Sequence, residues 1–186
     1  MYSKIEFQQP VRWRSTSMPE LNDLGTFAQV SIGLVGFAAV VSVLSRSRLP
    51  ATARLFRIRA LLIRGGTALV GSLVPLVLHK FGLSASSLWL PSAVVLFCLI
   101  LGSFLHSLHY IRVVHQSGSP TPTTAYIMQP ITAGVLILLA YGIAFGQSQL
   151  QAIFFVGIFW SLLAGLIQFI LLILSVELTG SDGDAT

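Results

Sequence analysis

The sequence predicts an all-α fold: a polytopic helical membrane protein with about five transmembrane helices in a compact bundle, and a basic interfacial helix between the first and second. Three observations lead there. Of the 186 residues, 54% are hydrophobic and 9% charged, whereas a soluble domain carries about a quarter charged residues. The mean hydropathy is +0.84. Several apolar runs are long enough to cross a hydrocarbon core about 30 Å thick, which takes about 20 helical residues. A transmembrane β-barrel would instead show alternating segments of about ten residues.

Residues 1–24 form a polar tail in which Lys4, Arg12 and Arg14 face Glu6, Glu20 and Asp23. No short apolar core follows a basic start, so the tail does not read as a cleavable signal. Met18-Pro-Glu-Leu-Asn-Asp reads as a helix start, with proline early and acids in the first turn. The first span is expected at about 25–44. Gln29, Gly33 and Gly36 fall on one face, with Ser31 and Ser42 on another. Small residues let helix backbones approach closely in lipid, so both faces read as packing surfaces.

Arg46, Arg48, Arg54, Arg57, Arg59 and Arg64 follow within twenty residues, and the chain has 11 Lys+Arg in all. Pro50 interrupts this stretch. From Ala51 on, the pattern suits an interfacial helix running into the second span at about 60–78. Pro75 lies inside that span and is expected to kink it. The third span, about 88–106, opens on Trp89 and Pro91 and is expected to extend past His109 to His115. Ser117–Thr124 is a loop by composition. The fourth span is expected at about 126–145, with Gln129 and Pro130 in its first turn. The fifth, about 150–176, carries Gly157, Ser161 and Gln168 on a small, polar face. The acidic tail, 179–186, is expected to be disordered. The domain organisation is therefore two tails around one transmembrane domain, 25–178.

Basic loops stay in the cytoplasm. The 45–64 segment should face it, with Lys80 outside, Arg112 inside and the N-terminal tail outside. Charge in this position meets anionic lipid headgroups, so lipid is the expected contact of the six arginines and nucleic acid is not a partner. Arg64, Arg112 and Glu177 should all lie near the cytoplasmic surface, where Glu177 could pair with either arginine.

Chemistry-bearing constellations are scarce. His106 and His109 lie i, i+3 and could share a metal. No acid or cysteine lies close in sequence to complete the site, and interfacial histidines are the plainer reading. His79 belongs to the opposite end of the bundle. Cys98 is the only cysteine, which removes any intrachain disulfide, and it reads as an inert buried thiol. There is no phosphate loop, no nucleophile triad and no internal lysine for a retinal. Ionisable groups deep in the membrane would mark an ion path, and none is expected, with Arg64 in the first turn of its span. No cofactor is expected.

The first hundred residues or so resemble small multi-pass bacterial membrane proteins, through the glycine- and alanine-rich first span and the arginine-rich loop. This resemblance supplies no site residue. The expected function is a non-catalytic membrane protein that assembles with itself or within a larger membrane complex. Two alternatives are an oligomeric pore lined by Gln29, Ser31, Ser42, Ser161 and Gln168, and a lipid-directed enzyme using His106 and His109.

Overall fold

Five α-helices and their short connections make up the described part of the chain, which in this computed structural model is residues 19–44, 51–116, 123–146 and 148–177. They are α1 (Pro19–Leu44), α2 (Ala51–Lys80), α3 (Ala85–Gln116), α4 (Thr123–Ala144) and α5 (Leu150–Glu177). Lipid offers no partner for backbone N–H and C=O groups, and a helix satisfies them within one segment. Among the described residues, four helices hold stretches long and apolar enough to cross a membrane: Ile58–Lys80, Ser87–Val113, Ile127–Ala144 and Leu150–Leu171. α1 is 26 residues long and carries no charge from Gly25 to Leu44.

α1 starts on Pro19, whose missing N–H costs nothing in a first turn. The basic segment from Ala51 and the second span are one continuous helix of 30 residues. α2 ends in a turn set by Gly82, at φ +84°. The Gly82 N–H donates to His79 O at 3.0 Å and the Leu83 N–H to Leu78 O at 3.3 Å. These two bonds close the Schellman arrangement that a left-handed glycine permits. α3 starts at Ala85, more than a turn before Pro91, because Ser84 accepts the first bonds from Ser87 and Leu88 N–H. Between α4 and α5 the chain turns tightly. A Cβ on Gly146 would lie 3.2 Å from Gly142 Cα, so the turn needs a bare backbone there.

α2, α3, α4 and α5 form a ring, each packed on the next. α3 and α5 also touch across it, while α1 lies outside against α2 and α5. Leu96, Ile100, Leu139, Phe154 and Ile158 fill the centre, all fully buried. Glycines mark the close crossings. A Cβ on Gly71 would come 2.9 Å from Leu96 Cδ1, and one on Gly157 would come 2.9 Å from Leu96 Cδ2. One on Gly165 would meet Leu34, Arg64 and Gly65 within 4 Å. At the end of the bundle where α1, α3 and α5 begin, Phe27, Trp89, Phe154 and Phe155 stack edge to face or tilted, with centroids 5.7–6.3 Å apart. Interior hydroxyls are satisfied by their own helices: Ser31 donates to Phe27 O, Ser72 to Ala68 O, Ser92 to Leu88 O and Ser161 to Gly157 O. Cys98, expected to be buried, is exposed on α3.

Candidate functional site

One polar cluster crosses the middle of the ring. Thr132 on α4 is fully buried, and its hydroxyl is at its hub. It donates to Met128 O at 2.8 Å and accepts from Trp160 Nε1 of α5 at 3.1 Å. It also accepts from Arg64 Nη2 of α2 at 3.5 Å, the outer limit of a hydrogen bond. One donor and two acceptor positions exhaust a hydroxyl. Thr132 therefore ties together the opposite corners of the ring, α2 and α4, with α5 between them.

The cluster lies deep. Trp160 is about 15 Å along α5 from Leu150, and Thr132 about 18 Å along α4 from Ala144, at about 1.5 Å per residue. A hydrocarbon core is about 30 Å thick, so both sit near its middle. Arg64 rises from α2 about 24 Å before Lys80 on the same count and turns its guanidinium toward them. An arginine expected at the first turn of its span, against headgroups, thus points into the bundle. The local reason is its flanks. Leu61 precedes it fully buried, Gly65 and Thr67 follow it buried, and bare Gly165 on α5 lets its Cβ in at close range. Arg64 Nη1 is buried and has no partner in the structure.

A second link lies one turn along α4. Gln129 Nε2 donates to Ser107 Oγ of α3, and Gln129 Oε1 is buried without a partner. Gln129 and Thr132 lie i, i+3 on one helix face. Among the described residues three buried side-chain polar atoms lack a partner: Arg64 Nη1 on α2, Gln129 Oε1 on α4 and His79 Nδ1 at the far end of α2.

The remaining expected site residues are scattered. Arg46 and Arg48 lie outside the described residues, as do the side chains of Ser42, Arg54, Arg57 and Glu177. Arg59 and Arg112 are exposed. Arg64 is directed at Thr132, and its expected pairing with Glu177 lies outside the described side chains. Ser31 and Ser161 are fully buried. Gly157 sits at a crossing, whereas Gly33 and Gly36 meet nothing within 4 Å. Gln29 is exposed and Gln168 half-buried. His106 is half-buried and His109 exposed, and among the described residues no three metal-ligating side chains come together. Sequence reading missed Thr132 and Trp160. The usable signal was a lone arginine with apolar residues on both sides, set against a threonine and a tryptophan in other spans.

No protein-family model, curated protein or solved structure matches the chain.

Proposed function

We propose that the protein is a non-catalytic, multi-pass membrane protein that assembles with itself through the open face of α1. One contrast carries this reading. Gly65 and Gly71 of α2, Gly142 of α4, and Gly157 and Gly165 of α5 sit against neighbouring helices, whereas all three described glycines of α1, Gly25, Gly33 and Gly36, would carry a Cβ that meets nothing within 4 Å, as only Gly66, Gly102 and Gly134 do elsewhere in the helices. Gln29 is exposed between Gly25 and Gly33, one turn from each. An amide turned toward hydrocarbon is costly. A second copy of α1 removes that cost, because small residues let the backbones approach and glutamine both donates and accepts across a two-fold axis.

The setting we infer is a bacterial inner membrane. The segment around Arg54, Arg57 and Arg59 is cytoplasmic and rests on anionic headgroups, as its charge and position favour. A pore between subunits draws less support from the interior, because Ser31 and Ser161 give their hydroxyls to their own helices.

The test is oligomeric state in lipid nanodiscs, read by single-molecule photobleaching. The native protein should give two or more copies per disc, and Gly33→Leu with Gln29→Leu should give one. A native protein that is monomeric at high loading, or an oligomer that both substitutions leave intact, would remove the proposal. Cysteine labelling from each side of the membrane tests the orientation: a label reaching the 45–50 segment from outside would reverse it.

A further inference from the structure

A cation inside a membrane bundle needs a counter-charge, and among the described residues no carboxylate is paired with Arg64. The sequence contains no Asp or Glu between Asp23 and Glu177, and those two bracket the bundle at its opposite ends. Thr132 is neutral and already saturated, with three hydrogen bonds. Arg64 Nη1 is left with a donor aimed at nothing. We propose that Arg64 is the centre of an oxyanion site, taking a phosphate-type group into the ring between α2 and α4.

The geometry favours an oxyanion over a halide or a lone water. A guanidinium presents parallel N–H groups that match two oxygens of one phosphate. Gln129, one turn from Thr132 on α4, carries a second buried atom without a partner, Oε1. A half-turn of its amide keeps the bond to Ser107, with the hydroxyl then donating to Oε1, and frees two N–H donors. A lone water on Nη1 would leave the charge uncompensated. Arg64 and Gln129 are each only half-buried as residues, so the site is not sealed from outside. The phosphate could belong to a lipid headgroup drawn between the helices or to a free anion, and the chemistry of recognition is the same.

Trp160 provides the readout, because its N–H shares the Thr132 hydroxyl with Arg64. With Trp13 and Trp89 changed to phenylalanine, Trp160 is the only indole. The delipidated full-length protein is titrated separately with inorganic phosphate, with short-chain phosphatidylglycerol and, as a control, with short-chain phosphatidylcholine. The expected result is a saturable change in Trp160 emission. A response to phosphatidylglycerol alone identifies a headgroup, and a response to inorganic phosphate identifies a free anion. Arg64→Gln should weaken the response about tenfold or more, the scale of one charge-assisted hydrogen bond. Arg64→Lys keeps the charge without the fork and should fall between, while Lys80→Gln should match the parent. No saturable change with either anion in the parent protein overturns the site whether or not the variants fold. So does an undiminished response in a well-folded Arg64→Gln.

Discussion

Replacing Thr132 with valine keeps the shape of the side chain and deletes its hydroxyl. The structure sets the cost. Trp160 Nε1 loses a sound bond of 3.1 Å, and Arg64 Nη2 loses a long one of 3.5 Å. Leaving a buried donor unsatisfied costs about 1–3 kcal/mol. Inside membranes, measured side-chain bonds average nearer ~0.6 and reach ~1.7 kcal/mol, because the unfolded helices find other partners in lipid. Two bonds, one of them weak, then give about 2 kcal/mol, or roughly 30-fold in the unfolding constant. Ser161→Ala is the matched control. Its hydroxyl is equally buried but donates only to Gly157 O on its own helix, and such back-bonding adds little to a helix. Equilibrium unfolding in mixed micelles, followed by circular dichroism, compares the two. If Thr132→Val unfolds no more readily than Ser161→Ala, the cross-bundle cluster contributes nothing to stability and the reasoning fails.

Further expectations rest on packing and backbone. Gly157→Ala should cost about 1–3 kcal/mol through overpacking, because the new methyl meets Leu96 and Leu139 at 2.9 and 3.3 Å and both leucines are fully buried. Gly33→Ala should be neutral or gain up to ~1 kcal/mol in helix propensity within one chain, and thermal unfolding of the pair separates interior from open glycines. Gly82→Ala should cost about 1–2 kcal/mol at φ +84°, seen as a lowered Tm without loss of helix content. Phe154→Ala, fully buried, should fall at or below the low end of the ~3–5 kcal/mol typical of soluble cores, since its unfolded reference is already in lipid. A loss matching a soluble core would argue against a membrane setting for α5.

The five helices were legible because each holds an apolar run between polar or proline-marked breaks, though among the described residues four of them, not the expected five, hold a stretch long and apolar enough to cross a membrane. Which face of each helix points inward was not legible. In water, a periodic polar face marks the outside. In lipid both faces are apolar, so Gly157 at a crossing and Gly33 in the open look alike in sequence. Cys98 shows the same ambiguity: its apolar run said membrane and could not say exposed. The Arg64 cluster was hidden for a different reason. Its members sit on three helices and meet only after the ring closes, while Arg64 shares a stretch with five other arginines that made it look like one more topology signal. What separated it was local, the apolar Ala60-Leu-Leu-Ile sequence that carries it inward from the rest.

The unbroken length of α2 has a mechanical consequence. The start of α2 at Ala51 and the interior arginine belong to one rod with no joint between them. Within the ring its tightest crossing is at Gly71, pressed between Leu96 and Ile158, which makes a fulcrum. A tilt of about 10° there swings Ala51 by about 5 Å and carries the Arg64 backbone by about 2 Å, on helix arms of about 30 and 10 Å. A shift of that size exceeds the slack in a 3.5 Å hydrogen bond. Anything that pulls the basic end of the rod toward or away from the membrane surface would therefore make or break the grip on Thr132.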